Sequence, residues 1–504
     1  MPTPDTADRL RMVVSDRFVL ARDAELLAYE SDGLPGYHRR PRLAVFPGTR
    51  DELVEVVRIL ADAGLPFVPR GAGTGLSGGA LADDVVLLGL HRLKRVLRID
   101  AAGLSATVEP GVVNAVLNRQ LAPHGVFYAP DPSSEAACTI GGNFAENAGG
   151  PHCLKYGVTL NHVLAATVIL PNGDIVELGA DKNALDDTMA GYDLLGAFIG
   201  SEGCFGIALD ITARLTRRPQ MVRTVLADFT SVDAAARATS AIVASGVVSA
   251  ALEFMDNASI RVVEQSAYAA GYPADAAAIL LIEVDGTAAS VDEETETVRR
   301  LCVEAGARTI RVASDAIERA RLWQGRKKAF GAMGRMAPHL VVQDAVIPRT
   351  RLPDVLARIH AIGDAHGLTV CNVFHAGDGN LHPNIAYDAN DPDEAIRVHQ
   401  AMSEIMHACI NAGGSITGEH GVGLDKLGYM TSLFDEPTLA AMCDVRGVFD
   451  PDRRANPGKV VPVHSCREWH ATLAGRGGAA TAVGDVADVT DLTGTAISTG
   501  ARRR

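Results

Sequence analysis

The chain has 504 residues, with 47 Lys and Arg against 61 Asp and Glu, so its formal net charge is −14 at pH 7. This acidic balance excludes nucleic acid and an anionic membrane surface as main partners, because both require a positively charged contact face. At roughly 150 residues per domain, the length predicts two to four domains, each able to bury its own core.

The sequence does not predict secretion or membrane insertion. Asp5, Asp8 and Asp16 interrupt the apolar residues near the start, and no apolar run approaches the roughly 20 residues of a membrane span. The eight cysteines include no Cys-x-x-Cys pair, which disfavours a disulfide framework, a zinc ribbon and an iron–sulfur cluster. We therefore expect a cytoplasmic protein without a transmembrane segment. Any attachment to a membrane would go through a partner protein.

The first predicted elements are a helix over residues 50–63 and a strand that leads into a glycine-rich loop. Thr49 and Glu52 form a capping box at the start of this helix. The loop, Pro69–Ala80, has five glycines at positions 71–79, and an apolar run follows it. A Rossmann fingerprint requires a helix after the glycines, and a P-loop requires Lys followed by Ser or Thr. The order strand, loop, strand therefore excludes the Rossmann fingerprint, and the absence of a Lys-Ser/Thr pair after the glycines excludes the P-loop.

Two further glycine-rich segments follow, at residues 130–157 and at Gly200–Ile207. Loops without side chains let backbone N–H groups approach a phosphate closely. The intervening sequence predicts strands at 84–90, 105–109, 163–170 and 174–178, with a hairpin turn at Pro171–Asp174. These elements predict an α+β domain that ends near residue 219 and contains the glycine-rich loops.

From residue 222 the pattern changes to alternating strands and helices. It predicts strands at 222–229, 247–254 and 278–284, a helix at 232–244, and a second helix capped at Ser290. An antiparallel sheet backed by helices accounts for this order.

Two histidines flank a short loop in the C-terminal half, and an acid and a third histidine follow about forty residues later. His375 ends an apolar run and His382 opens the next, so a hairpin brings their imidazoles close enough to bind one metal ion at roughly 2.1 Å. The period of two places Asn384 on the same face as His382. Glu419 and His420 are neighbours between glycines, so one can bind the metal while the other faces a substrate. Two histidines and one carboxylate leave open metal positions, which is the catalytic pattern.

The three glycine-rich segments resemble those of the FAD-linked dehydrogenases of D-2-hydroxy acids, within the vanillyl-alcohol-oxidase/p-cresol-methylhydroxylase (PCMH) superfamily, and most of all the D subunits of glycolate oxidases. The resemblance covers residues 20–462 and implies an α+β fold. A PCMH-type FAD-binding domain would span 41–219, after a helical segment at 1–40. An antiparallel-sheet domain for substrate and metal, with a helical C-terminal cap, would span 220–463. The Gly/Ala/Thr-rich tail at 464–504 is predicted to be disordered.

The resemblance also implies residue roles. His375, His382 and Glu419 would bind one divalent ion, Zn, Mn or Fe, and His420 would act as the base. Arg326 would clamp the substrate carboxylate, because its planar guanidinium matches that group. Asn384 is a further catalytic candidate. The expected FAD contacts are Pro69, Arg70, Gly71, Gly73, Thr74, Gly75, Ser77, Gly78, Pro130, Asp131, Ser134, Gly141, Gly142, Asn143, Ala148, Gly149, Gly150, Glu202, Gly206, Ile207 and Asn456.

The implied reaction is metal-assisted oxidation of a short D-2-hydroxy acid, glycolate or D-lactate, with hydride transfer to flavin N5. Phe330 follows Arg326 by one helical turn, and Val341 and Val342 precede Gln343, so polar contacts for a second carboxylate are missing. D-2-hydroxyglutarate dehydrogenase is the alternative, and a non-catalytic flavin-binding subunit of a multi-protein oxidase is another.

The remaining expectations concern the cofactor and its partners. Some related oxidases tether FAD through a histidine in the first glycine loop, but none occurs here between residues 65 and 90. The first is His91, so we expect non-covalent FAD. A quinone or a partner redox subunit would take the electrons, in a homo- or hetero-oligomer.

Overall fold

The computed structural model describes residues 4–34, 36–179 and 191–462. The tail predicted at 464–504 lies outside these residues. The N-terminal part contains seven described α-helices: α1 Pro4–Val14, α2 Asp23–Leu26, α3 Arg50–Asp62, α4 Asn114–Leu121, α5 Ile140–Glu146, α6 Cys153–Tyr156 and α7 Leu194–Phe198. Its described strands are β1 Val19–Leu20, β2 Leu43–Val45, β3 Phe67–Arg70, β4 Val86–Gly89, β5 Val96–Asp100, β6 Ser105–Val108, β7 Val126–Phe127, β8 Val163–Ile169, β9 Ile175–Gly179, β10 Ile207–Arg214 and β11 Thr216–Arg217.

Two sheets build the N-terminal part. The first has the order β1-β2-β4-β3, in which β2, β4 and β3 are parallel and β1 is antiparallel. Thr49 caps α3 as predicted and accepts a hydrogen bond from the Glu52 backbone N–H at 3.1 Å. The reciprocal bond of a capping box is not formed, because the Glu52 carboxylate accepts the backbone N–H of Gly48 at 2.6 Å. The apolar stripe of α3 packs in the same core as these strands. The second sheet is antiparallel with the order β5-β6-β10-β8-β9 and shares a core with α4, α5 and α7. The first glycine loop therefore joins two parallel neighbours, β3 and β4.

The C-terminal part has one large antiparallel sheet with helices on both faces. Its described strands are β12 Met221–Phe229, β13 Ala251–Asp256, β14 Ala278–Gly286, β15 Ala307–Val312, β16 His339–Val342, β17 Ala345–Val346, β18 Val370–His375, β19 Asn380–Leu381 and β20 Pro383–Tyr387. Its described α-helices are α8 Val232–Ala244, α9 Asn257–Glu264, α10 Ala288–Glu304, α11 Ala316–Lys327, α12 Ala329–Met333, α13 Leu352–His366, α14 Pro392–Asn411, α15 Met430–Leu433 and α16 Glu436–Phe449.

The strand order is β15-β12-β14-β13-β18-β19-β17, and β20 pairs with β18 and β16. One core includes residues of α8, α10, α13 and α14, and a second includes residues of α9, α11 and α12. The sheet is apolar on both sides for this reason, and β14 is buried along almost its whole length. The α+β fold class is confirmed.

Two predicted details are wrong. The second glycine-rich segment contains the helix α5, because Thr139 accepts the backbone N–H of Gly142 at 3.2 Å and so caps a first turn. The cap of α10 is Thr287, three residues before the predicted Ser290, and its hydroxyl accepts the Ser290 backbone N–H at 3.3 Å. Among the described helices, none combines the length and the apolar character that crossing a bilayer requires.

Candidate active site

A cleft of about 610 Å³ lies where the N-terminal and C-terminal parts meet. The glycine-rich segments line much of it, and α11, α12 and the loop that contains His420 line the rest of the described wall together with His375 and His382. A volume of this size falls in the range of cofactor and ligand sites.

Several glycines of the cleft wall stand where a side chain would collide with a neighbour. A Cβ on Gly71 would lie 2.4 Å from the Thr139 hydroxyl oxygen, and one on Gly141 would lie 2.5 Å from Pro110 Cβ. Real Cβ atoms do not approach so closely, and the contact at Gly141 is with a rigid ring. The glycines therefore keep the cleft open along bare backbone, a wall that a long phosphate-containing ligand such as FAD can follow closely.

Most of the expected FAD contacts lie on this wall. The expected FAD contacts that do line the cleft are Pro69, Gly71, Gly73, Thr74, Gly75, Ser134, Gly141, Gly142, Asn143, Ala148, Gly149, Glu202, Gly206 and Ile207. The expected contacts outside the lining are Arg70, Ser77, Gly78, Pro130, Asp131, Gly150 and Asn456. His91 is also outside the lining, and its ring lies beside that of Phe46, with centroids 5.2 Å apart and an interplanar angle of 54°.

The residues outside the lining hold the wall together. Arg70 donates a hydrogen bond to the Ser31 carbonyl oxygen at 2.7 Å. The buried Asn456 amide donates to the carbonyl oxygens of Gly79 and Glu202 at 2.9 and 2.6 Å, which ties two glycine-rich segments to the end of the described chain. These residues shape the cleft from behind.

His375, His382 and Glu419 converge at one end of the cleft. Nε2 of each histidine lies 3.2 Å from Oε1 of Glu419, and all three ligand atoms lie within 4.8 Å of one another. Ligands at about 2.1 Å from a tetrahedral ion are roughly 3.4 Å apart, so the spacing suits one divalent cation. His375 ends β18 and the register pairs it with Asn380, while His382 lies between β19 and β20.

A buried carboxylate supports His375 from the side opposite Glu419. Oε1 of Glu253, on β13, lies 2.7 Å from Nδ1 of His375. This contact leaves Nε2 free to face Glu419 and fixes the imidazole orientation, as carboxylates do behind metal-binding histidines. Burial raises the pKa of Glu253, but the charges of Arg326 and His375 outweigh it and hold the pKa below its usual value.

A second buried carboxylate, Asp344, organises the loop that holds Glu419 and His420. Its Oδ2 accepts the backbone N–H groups of Gly418, Glu419 and His420 at 2.9, 3.3 and 3.0 Å. The buried Lys426 ammonium lies 3.0 Å from the same oxygen and balances its charge. Burial raises the pKa of Asp344, but Lys426 and the neighbouring imidazoles lower it well below its usual value.

His420 lines the cleft beside the metal-ligand cluster. Its ring stacks on His382 with centroids 4.9 Å apart and an interplanar angle of 11°, and its Nε2 lies 3.9 Å from Glu419 Oε1. Burial lowers the pKa of His420 to about 4, against the opposing charge of Asp344. The imidazole is therefore unprotonated near neutral pH.

Of the other two catalytic candidates, Arg326 lines the cleft and Asn384 does not. Arg326 lines the cleft and is 6 % exposed; one terminal nitrogen lies 2.5 Å from Glu253, while its buried Nε has no hydrogen-bond partner among the described residues. Asn384 does not line the cleft, because its amide donates to the carbonyl oxygens of Cys371 and His382 within the sheet. It braces the strand that follows His382.

Four residues of the site were missed at the sequence level: Glu146, Glu253, Asp344 and Lys426. Glu253 and Asp344 each interrupt or follow an apolar run, and a carboxylate inside such a run needs a buried partner. That signal could have marked both acids. Nothing in the sequence indicates that Lys426 lies near Asp344, since 82 residues separate them.

The fold and the cleft define an FAD-linked oxidoreductase. The family of FAD-binding domains matches residues 41–179, and the family of FAD-linked oxidase C-terminal domains matches residues 218–460. The chain belongs to the FAD-linked oxidases, which confirms the resemblance drawn from the glycine-rich segments.

Individual relatives narrow this class. The chain is 45 % identical over 464 residues to glycolate oxidase subunit GlcD of Escherichia coli strain K12, a match that covers 92 % of each chain. It is 31 % identical to the mitochondrial D-lactate dehydrogenase (cytochrome) of Arabidopsis thaliana, over 84 % of this chain and 74 % of the relative. A solved structure of p-cresol methylhydroxylase with substrate bound has a TM-score of 0.77 at 16 % identity, over 90 % of this chain and 96 % of that one. That structural similarity shows the PCMH-type fold.

Proposed function

We propose that the protein oxidises a short D-2-hydroxy acid, glycolate or D-lactate, to the 2-oxo acid. The observation that carries the proposal is the convergence of His375, His382, Glu419 and His420 in the same cleft that the glycine-rich wall lines. The names of the two relatives, a glycolate oxidase subunit and a D-lactate dehydrogenase, support the same substrate class.

In this proposal FAD and a divalent cation supply part of the chemistry, and side chains of the protein supply the rest. FAD, bound non-covalently, supplies flavin N5 as acceptor for the hydride that leaves C2 of the substrate. His375, His382 and Glu419 would hold a divalent cation, Zn, Mn or Fe, which supplies a Lewis acid for the 2-hydroxyl group.

The chain's own side chains bind the acid and move its proton. Arg326 holds the substrate carboxylate, and the unpartnered Nε in the cleft wall supports this role. His420 accepts the hydroxyl proton, because it lies beside the metal-ligand cluster and its imidazole is unprotonated.

The cleft favours a short substrate. Phe330 follows Arg326 on the adjacent helix α12, and Tyr268 and Val373 also line this part of the cleft. Aromatic and aliphatic walls suit the hydrogen of glycolate or the methyl group of D-lactate, whereas a second carboxylate would be desolvated against them.

D-2-hydroxyglutarate remains the second candidate because of one cation. Lys328 is exposed and lines the cleft between Arg326 and Phe330. An ammonium group there could meet a second carboxylate at the cleft rim.

The electrons leave the flavin to a quinone or to a partner redox subunit in this proposal. The name of the E. coli relative, a subunit, supports a hetero-oligomer. A partner of this kind would also account for any attachment to a membrane.

Anaerobic titration of the purified yellow protein tests the proposal. We expect glycolate or D-lactate to bleach the flavin absorbance near neutral pH, with L-lactate inactive and D-2-hydroxyglutarate slower. Faster bleaching by D-2-hydroxyglutarate would transfer the assignment to the second candidate. A yellow protein that no 2-hydroxy acid reduces would instead establish a non-catalytic flavin-binding subunit.

A further inference from the structure

Two carboxyl groups, Glu146 and Glu202, face each other beside the FAD cleft. A Cβ on Gly421 would lie 2.6 Å from Oε2 of Glu146 and 2.7 Å from Oε1 of Glu202. The same position on Gly79 lies 3.0 Å from Oε1 of Glu146 and 3.6 Å from Oε2 of Glu202. Both side chains line the cleft, and the pair lies where the first glycine loop meets the loop that follows His420.

The two acids have unequal hydrogen-bond partners. Both oxygens of Glu202 accept backbone N–H groups, from Val422 and Gly423, at 2.7 Å each. Such donors stabilise an ionised carboxylate. Oε2 of Glu146 is buried and has no hydrogen-bond partner among the described residues. If only one of the two acids is ionised, it is therefore Glu202.

The surrounding charges reinforce this assignment. Burial and the negative charge of Glu202 raise the pKa of Glu146 well above its usual value, and Asp32 raises it further. Lys426 opposes this rise, but its ammonium is already bound by the Asp344 carboxylate at 3.0 Å. Burial raises the pKa of Glu202 too, but the backbone N–H groups of Val422 and Gly423 and the charges of Lys426 and Lys459 oppose that rise.

We propose that Glu146 stays protonated and that its carboxyl O–H donates a hydrogen bond to FAD. An ionised Glu146 would repel the cofactor's negatively charged pyrophosphate and could donate nothing, whereas the neutral acid has one donor to offer the cleft. The negative charge of Glu202 would keep Glu146 protonated, and the protonated Glu146 would strengthen FAD binding. The inference rests on FAD binding and not on the identity of the substrate.

Two variants of Glu146 distinguish the role of a hydrogen-bond donor at this position from the role of a negative charge. Glu146→Gln keeps a neutral donor, and Glu146→Leu keeps a similar volume without one; Glu55→Leu, at an exposed position of α3, is the matched control. The measurements are the FAD dissociation constant of the reconstituted apoprotein and the midpoint potential of the bound flavin. We expect Glu146→Gln and Glu55→Leu to stay within about threefold of wild type and Glu146→Leu to bind FAD about tenfold more weakly or to change the potential.

Either of two results would overturn the proposal. One is a Glu146→Leu protein with the FAD affinity and the flavin midpoint potential of wild type. That result would mean that the Glu146 proton is shared with Glu202 and makes no hydrogen bond to FAD. The other is a Glu146→Gln protein as impaired as Glu146→Leu, which would mean that the charge matters. These binding measurements do not depend on substrate oxidation, so they are independent of the proposed reaction.

A pH series covers the case in which Glu146→Leu does not fold. A carboxyl with a raised pKa keeps its proton at low pH and loses it as the pH rises, so FAD affinity of wild type should be constant near pH 6 and fall at alkaline pH. Glu146→Gln should lack this fall. Identical pH profiles for the two proteins would contradict the proposal.

Discussion

At the scale of single residues, each proposed catalytic group is held by a buried acid that does not itself touch the substrate. Glu253 fixes the ring of His375, and Asp344 binds three successive backbone N–H groups of the loop that ends in His420. Both acids are at most 1 % exposed. Because buried carboxylates are costly without partners, these contacts constrain the geometry of the groups in front of them.

Replacement of His420 should separate cofactor binding from chemistry. We expect His420→Ala to keep the flavin absorbance, because the imidazole lies beside His382 and Glu419, and to slow flavin reduction by glycolate or D-lactate at least about 100-fold. Anaerobic stopped-flow absorbance measures the rate. His407→Ala, on the exposed face of α14, is the control and should reduce at the wild-type rate. Loss of the yellow colour in His420→Ala would mean that its role is misplaced.

Replacement of Glu253 should weaken metal binding. Glu253→Gln keeps the shape of the side chain but removes the charge behind Nδ1 of His375, so we expect divalent-metal affinity to fall about 10–100-fold while FAD content is unchanged. Metal titration of the chelator-treated protein measures this, and Glu304→Gln at an exposed position of α10 is the control. Metal affinity equal to wild type would show that Glu253 does not orient the ligand.

At the scale of elements, the sequence was most informative where periodicity and turn chemistry agree. The capping box at Thr49 and the apolar stripe after it predict α3 to within one residue, and the Asn-Gly turn at residues 172–173 joins β8 and β9 as predicted. The helix α5 was missed because glycines dominate its first turn, which lowers helix propensity. A threonine cap and packing of Phe144 in the core override that propensity.

In the candidate site too, some features were predictable from the sequence and others were not. Hairpin spacing predicts that His375 and His382 lie close together, and the family resemblance assigns Glu419 to the same site, where the three ligand atoms do converge. The pairs Glu253–His375 and Lys426–Asp344 join residues 122 and 82 positions apart, and no local pattern encodes such contacts. Asn384 was assigned to the site by the period of two alone, which does not reveal that its amide is used within the sheet. The domain boundaries at residues 40, 219 and 463 stay predictions.

The wall of the cleft should not tolerate a methyl group at Gly141. In Gly141→Ala the new Cβ would lie 2.5 Å from Pro110 Cβ and 2.8 Å from its carbonyl oxygen, so α5 must shift. We expect a loss of roughly 2 kcal/mol in the free energy of unfolding and weaker FAD binding. In Gly447→Ala, on α16, the new Cβ meets nothing within 4 Å, and the variant should be up to about 1 kcal/mol more stable. Equal stabilities in urea unfolding would contradict the packing argument.

At the scale of the whole molecule, charged groups join the two parts that form the cleft. His152, on the N-terminal side, lies between Asp131 and Glu283, at 2.8 and 3.3 Å, and stacks on Trp323 with ring centroids 5.6 Å apart. Lys327 approaches Glu135 at 2.9 Å from the C-terminal side. These contacts cross the boundary next to the cleft, so the relative placement of the two parts depends on the charge of His152.

The protonation of His152 gives the boundary a defined pH dependence. Burial lowers the pKa of His152, but Asp131 and Glu283 raise it more, to about 10. Its side chain is 21 % exposed, so solvent screening is incomplete. A histidine whose pKa is raised by folding contributes stability that is fully present below its unfolded value, near 6.5, and is lost as the pH rises through about 10.

We therefore expect the stability difference between wild type and His152→Gln to shrink with rising pH. At pH 6 the variant should unfold with a free energy lower by on the order of 3 kcal/mol, because Asp131 and Glu283 lose their shared cation. At pH 10.5 wild type has lost most of that contribution and the two proteins should be similar. Urea unfolding at both pH values measures the difference, and comparison with the variant cancels other groups that titrate in this range. A difference that stays constant from pH 6 to 10.5 would mean that His152 acts by packing on Trp323, and that the charge does not join the two parts.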